Sequence, residues 1–299
     1  MTLRKQRGLH PTGRAFFIRL CAVVLAFAGI WSARTQSSEQ SPSLTVHRIE
    51  EDLYVIEGTS NGSGDAGNVI IYVTGEGVIL VDDRFDHNYR QIVAAVSGIT
   101  DQPIRYILNT HHHGDHTGSN AAFLPTAEIV AHANARRHMV EGSMPGPPRV
   151  SFTKDLSVFL GGKEVRMLHT GRGHTDGDAT VYLPARRAVH LGDLMAGTRG
   201  VTNPVMDYAH GGSIAEWPAT LDKVLQLDIE HVIPGHGSVV SKADLLAHRN
   251  RVEAVRERVK GWLREDKSKD EISSLLVQEF DYKPINLRSL DGMIAELRP

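Results

Sequence analysis

The chain has 299 residues, 41% of them hydrophobic and 23% charged, with a formal net charge of −2. This is an ordinary globular balance, long enough to bury one sizeable core or two small ones. No strongly basic block lies beyond the N-terminus, which excludes a nucleic-acid-binding surface.

The N-terminus differs from the rest. Arg4, Lys5, Arg7, Arg14 and Arg19 are basic, no acidic residue precedes Glu39, and an apolar run follows from Leu20 to Trp31. A charged region followed by a short apolar one is the pattern of a secretory signal, here assigned to residues 1–33. Cleavage is expected after Ala26-Phe27-Ala28 or near Ser32-Ala33, and an uncleaved anchor is the alternative. The run is short for a membrane span and Arg19 interrupts it. Residues 34–44, polar and serine-rich, read as a linker. Loss of residues 1–33 removes five positive charges and leaves −7. It also removes Cys21, the only cysteine, so the mature chain has no disulfide and no thiolate ligand. No small residue stands just ahead of Cys21, which argues against a lipoprotein. The expected location is periplasmic or secreted, with no membrane attachment after signal removal.

Residues 45–299 read as one folded domain with no internal linker. Leu44–Ile49 and Asp52–Glu57 pattern as a strand hairpin. Gly58 to Gly67 is a glycine-rich loop, and Asn68–Thr74 and Gly77–Asp82 form a second strand pair. Tyr89–Val96 is helical, with Ile92, Val93 and Val96 on one face. Ile104–Asn109 and Ala127–Ala131 are strands, Asn134–Glu141 a helix, and Gly142–Pro148 a loop. Phe152–Leu160, Glu164–His169, Ala179–Leu183 and Ala188–Leu191 are further strands. Ala215–Leu227 is an amphipathic helix and His231–Ile233 a short strand. Helices dominate from about residue 241, at Lys242–Lys260 and Glu271–Phe280. Strands come early in each half and helices late, which predicts an α+β fold with two sheets sandwiched by helices.

The richest stretch follows the strand at Ile104: Thr110-His111-His112-His113-Gly114-Asp115-His116-Thr117-Gly118. Imidazole nitrogens and carboxylate oxygens suit Zn²⁺ and related divalent ions. On an extended backbone His111 and His113 share one side while His112 points away. Asp115 and His116 lie beyond Gly114, where the chain can turn. The loop can therefore serve two neighbouring metals with two ligands each, leaving His112 a bystander. Three later positions can complete such a site. His174, Asp193 and His236 each sit in a loop directly after a strand, flanked by glycine. Glycine lets the backbone turn and approach a metal closely.

The motif His111-x-His113-x-Asp115-His116, followed by His174, Asp193 and His236, resembles the metallo-β-lactamase superfamily over roughly residues 45–240. The resemblance implies an αββα sandwich of two mixed β-sheets. It implies a first zinc on His111, His113 and His174, a second on Asp115, His116 and His236, and Asp193 bridging them. Asp82, at a strand end, matches the family's aspartate that supports the ligand loop and orients a ligand histidine.

Two zinc ions sharing a hydroxide would supply a nucleophile at neutral pH, with Asp115 orienting it. The expected function is hydrolysis of a small-molecule carbonyl substrate, β-lactamase-like, with lactonase or glyoxalase II-like thioesterase activity as the alternative. His113 stands where a diiron oxidoreductase branch carries Glu, which favours zinc; a mononuclear iron sulfur dioxygenase and a non-catalytic zinc-binding protein are further alternatives. Leu194 to Arg199, following Asp193, contain no Lys to grip a drug carboxylate; Arg199 is an alternative cation there, though a solvated loop position is the reading preferred. Tyr208 and His210 are candidates to line the pocket.

Overall fold

The apolar strands stack as two sheets, with helices on both outer faces. The computed structural model describes residues 44–58, 66–197 and 203–298. The expected signal, nearly all of the linker, residues 59–65 of the glycine-rich loop, and Arg199 lie outside the described residues.

The first sheet has seven strands in sequential order: β1 (Val46–Arg48), β2 (Leu53–Ile56), β3 (Val69–Val73), β4 (Val78–Val81), β5 (Ile104–Leu108), β6 (Glu128–His132) and β7 (Val150–Phe152). Pairing is antiparallel from β1 to β4 and parallel from β4 to β7. The second sheet runs β12 (His231–Ile233), β11 (Ala188–His190), β10 (Thr180–Leu183), β9 (Lys163–Leu168) and β8 (Asp155–Leu160). Its β11–β12 pair is parallel and the others are antiparallel. Both sheets are thus mixed.

Helices α1 (Tyr89–Ser97), α2 (Gly114–Thr117), α3 (Asn120–Phe123) and α4 (Ala133–Glu141) belong to the first half. Helices α5 (Trp217–Leu225), α6 (Lys242–Arg264), α7 (Lys269–Phe280) and α8 (Leu290–Leu297) belong to the second.

Side-chain alternation builds the layers. In β3, Ile70 and Tyr72 pack between the sheets while Val69 and Ile71 pack outward; in β4, Ile79 and Val81 face inward and Val78 and Leu80 outward. The outward set meets Ile92 and Val96 of α1 and Phe123 of α3. The outer face of the second sheet, through Tyr182, Val189 and Val232, carries α5 to α8. Strands buried on both faces read as continuous apolar runs, and each fully buried Val, Leu or Ile contributes about 1.5–3 kcal/mol.

The boundary between the halves differs from the sequence expectation. Phe152–Leu160, expected as one strand, is two: β7 ends the first sheet at Phe152, the chain bends at Thr153–Lys154, and β8 opens the second. The polar run Thr153-Lys154-Asp155 interrupts the alternation there, but no glycine or proline marks the bend. Helix α7 starts two residues earlier than expected because Ser268 and Glu271 form a capping box. Helix α8 closes the chain. No helix among the described residues is long and apolar enough to cross a membrane.

Candidate metal centre

The ends of β5, β11 and β12 and the β9–β10 loop converge. β5 delivers the histidine loop, and Asp82, just past the end of β4, fixes it. Asp82 is fully buried. Its Oδ1 accepts from Thr110 N at 2.8 Å, and its Oδ2 accepts from Thr110 Oγ1 and His116 Nδ1, both at 2.8 Å. Thr110 Oγ1, whose own hydrogen goes to Asp82, accepts from His111 Nδ1 at 3.0 Å. Those partners assign the tautomers: His111 and His116 keep Nδ1–H and turn a bare Nε2 to the site. His174 is held the same way, its Nδ1 donating to Val205 O at 2.6 Å. His113 is reversed, with Nε2 donating to Asp207 Oδ2 at 2.9 Å and Nδ1 facing inward.

All seven sequence-selected ligands come together, in two groups. His111, His113, His174 and Asp193 place their ligand atoms within 4.8 Å of one another, and so do Asp115, His116 and His236. His113 Nδ1 lies 3.2 Å from His111 Nε2 and 2.9 Å from His174 Nε2. In the other group His116 Nε2 is 3.3 Å from His236 Nε2, and Asp115 Oδ2 is 3.2 Å from His236 Nε2. Asp193 spans both. Its Oδ2 lies 3.7 Å from His174 Nε2, and its Oδ1 lies 3.4 Å from His116 Nε2 and 3.5 Å from His236 Nε2.

This arrangement fits metal ions. Bare imidazole nitrogens converge with no donor between them, and the buried Asp193 Oδ1 has no hydrogen-bond partner. Tetrahedral ligands about 2 Å from a zinc stand roughly 3.3 Å apart, the spacing seen at His116, His236, Asp115 and Asp193. The electrostatics agree. Burial and the neighbouring His116 and His113 rings push His111 well down, keeping it neutral. Burial opposes charge on His116 too, but the Asp115, Asp193 and Asp82 carboxylates outweigh it and raise its pKa well above the usual value, so without a cation beside it the ring takes a proton on the Nε2 that a metal would otherwise occupy. Burial likewise works against charge on Asp193, yet His236 and His116 hold it well below the usual range. The second group therefore favours positive charge.

Two close approaches set the second-sheet loops. Gly192 has φ +51°, and a Cβ there would meet Thr110 Oγ1 at 2.5 Å. A Cβ on Gly235 would meet Asp193 Oδ1 at 2.1 Å. Asn68, fully buried, ties the His236 loop to the first sheet by donating to Pro234 O at 2.8 Å and Gly237 O at 2.7 Å.

Sequence reasoning missed several supporting groups. Asp207 holds His113 from 94 residues away, a separation no motif encodes. Asp178, buried beneath the His174 loop, accepts from Thr175 N at 2.9 Å and from Thr175 Oγ1, and burial raises its pKa to about 6. Tyr208, a candidate pocket residue, instead donates its hydroxyl to Glu296 of α8. His210 sits against Asp207, its Nδ1 2.6 Å from Asp207 Oδ2.

The fold has counterparts among known proteins. A metallo-β-lactamase from Pontibacter korlensis superposes with a TM-score of 0.63 at 21% identity, covering 71% of this chain and 99% of that one. The FIM-1 enzyme from Pseudomonas aeruginosa, in a mono-zinc form, gives 0.62 at 22% identity, covering 72% and 96%. In sequence, a metallo-β-lactamase type 2 from Bacillus sp. (strain 170) is 24% identical over 69% of this chain and 81% of its own length. The 2,4-dinitroanisole O-demethylase subunit alpha of Nocardioides sp. (strain JS1661) is 27% identical over 66% of this chain and 59% of its own. The metallo-β-lactamase superfamily profile matches residues 62–236, a span that runs from the glycine-rich loop to His236. With the sandwich, the seven-residue cluster and that match in agreement, this chain belongs to the metallo-β-lactamase superfamily.

Proposed function

We propose that this protein is an exported dinuclear zinc hydrolase of small carbonyl compounds. His111, His113 and His174 would hold the first zinc and Asp115, His116 and His236 the second, with Asp193 shared. The observation that carries this reading is the division of Asp193, with one oxygen toward each group. Zinc pairs supply an acidified water, with a pKa near 7, and polarise a carbonyl.

The chain's own residues do the rest. Asp82 and Thr110 lock the rings of His116 and His111, and Asp207 and Val205 O lock those of His113 and His174. Such outer partners fix ring orientation and raise ligand basicity. Asp115 combines contact with His236 and a side chain 25% exposed, so its carboxylate can orient an entering water and take its proton. Burial pushes its pKa up, but His116 and His236 hold it below the usual value, so it is ionised at neutral pH.

For the substrate, the family relationship favours a β-lactamase-like reaction. Lactones and thioesters are the second class, because Leu194 and Met195, directly after Asp193, are buried in the core and offer no cation for a drug carboxylate. The N-terminal signal supports a periplasmic or secreted location.

Metal analysis of the processed protein tests the centre. At least two zinc per chain, with zinc and hydrolysis lost together in His113→Ala, is the expected result; one iron per chain would overturn it. Turnover of nitrocefin, an acyl-homoserine lactone and a glutathione thioester then ranks the substrate classes.

A further inference from the structure

The reading above leaves His112 without a role. Its side chain is only 4% exposed, yet neither ring nitrogen has a hydrogen-bond partner. A buried polar group left unpaired costs stability, so such a group in a native structure calls for a reason. The ring packs against those of His113 and His210, both at 4.5 Å between centroids, and of His138 at 4.9 Å. Its Nε2 is 3.9 Å from Asp207 Oδ2, the oxygen that also meets His113 Nε2 at 2.9 Å and His210 Nδ1 at 2.6 Å. The ligand atoms of these four residues lie within 4.8 Å of one another.

We propose that His112, His113, Asp207 and His210 form a third site for a zinc-class divalent ion, sharing the His113 ring with the first group. Three imidazole nitrogens and one carboxylate oxygen suit Zn²⁺, Cu²⁺ or Ni²⁺ and do not suit Mg²⁺ or Ca²⁺. The contacts of 2.6, 2.9 and 3.9 Å bracket the roughly 3.3 Å between ligands of a tetrahedral zinc. Hydrogen bonds to Asp207 alone satisfy His113 and His210 but leave His112 orphaned; a metal satisfies all four. His138 does not compete, because its Nε2 pairs with Asp176 Oδ1 at 2.7 Å. The entry path is the His210 side, which is 40% exposed. His113 would coordinate through both nitrogens as an imidazolate, its Nε2 proton passing to solvent. The ion would pin the segment from Asp207 to His210 onto the histidine loop.

The sharing of His113 rests on the dinuclear reading, so the test separates the two. Metal-free full chain is loaded with Zn²⁺, gel-filtered, and its metal counted in wild type, His210→Leu, His112→Phe and His116→Ala. His210→Leu and His112→Phe are each expected to hold one ion per chain fewer than wild type, with circular dichroism unchanged. Equal counts in both variants and wild type overturn the third site. His116→Ala reads the dinuclear centre: an unchanged count there overturns that centre and leaves the third site to be judged by the other two variants. If neither variant folds, the wild-type count decides: three ions per chain support the site and two overturn it. Metal-free chain given two equivalents of Zn²⁺ and then one of Cu²⁺ is expected to give an electron paramagnetic resonance signal with hyperfine structure from three nitrogens, and absence of bound copper overturns the site.

Discussion

The two sheets supply the candidate centre in different ways. The first concentrates four candidate ligands in one loop after β5 and supports them with one buried carboxylate, Asp82. The second contributes His174, Asp193 and His236 from three separate loops, placed by backbone contacts too tight for a side chain at Gly192 or Gly235. The first half relies on side-chain hydrogen bonding to Asp82, and the second adds close glycine approaches to the hydrogen bonds that hold His174 and the His236 loop. The first should therefore fail through unpaired polar groups and the second through overpacking.

Asp82→Ala should give the largest effect. It leaves two Thr110 donors and the His116 Nδ1–H without their acceptor in a fully buried place. The expected cost is about 3–5 kcal/mol of stability and a roughly 10–100-fold loss of metal affinity. Urea unfolding and zinc competition measure both, and wild-type values would remove Asp82 from the account. Gly235→Ala comes next. Its Cβ would strike Asp193 Oδ1, so about 1–3 kcal/mol of strain should displace the shared carboxylate and weaken metal binding. The control is Gly114→Ala in the histidine loop, where a Cβ meets nothing within 4 Å. That variant should keep its zinc and stay within about 0.5 kcal/mol of wild type. Equal effects at the two glycines would dissolve the contrast between the halves.

Glu296→Ala tests how far the second half depends on its outer helices. Glu296 of α8 accepts from Tyr208 Oη at 2.9 Å and Ile214 N at 3.0 Å, and also from Ser213 Oγ. Its loss should cost about 2 kcal/mol and raise proteolysis between Asn203 and Ser213, while the first sheet keeps its hydrogen-exchange protection. A smaller effect is expected at Asp52, where the sheets meet away from the centre. Asp52 pairs with Arg186 through bonds of 2.6 and 2.8 Å and with Lys163. Burial pushes its carboxyl up, but the Arg186 and Lys163 bonds win and hold the pKa below 3.8. A depressed folded pKa stabilises above the unfolded value and loses that contribution as pH falls through the folded one. The gap between wild type and Asp52→Asn, about 1–2 kcal/mol at pH 7, should therefore close in acid below pH 3.8. Denaturant melts across that range measure it, and a gap that persists at the acid end would contradict the ion-pair account.

Much of this was legible along the chain. The apolar run Ile104–Leu108 announced the strand, and spacing put His111 and His113 on one side and His112 on the other. His174, Asp193 and His236 were found because glycines flank each at a strand end. The break between β7 and β8 was missed because its only mark is the short polar run Thr153-Lys154-Asp155, with no glycine or proline to signal a turn. Helix α8 was not separately placed because two turns give too short a period to recognise. Asp207 and Glu296 were invisible for another reason: their partners lie 94 and 82 residues away, and a carboxylate in a loop carries no mark of what it will meet.

The sequence by itself determined which residues can bind metal, and from which strand ends, because ligand chemistry and backbone period are local properties. Only the tertiary structure decided which nitrogen each ring offers, how the oxygens of Asp193 divide between two groups, and that His112 turns into a pocket with Asp207 and His210. Those depend on hydrogen bonds and burial between segments far apart in the chain, which form only once the two sheets have closed on each other.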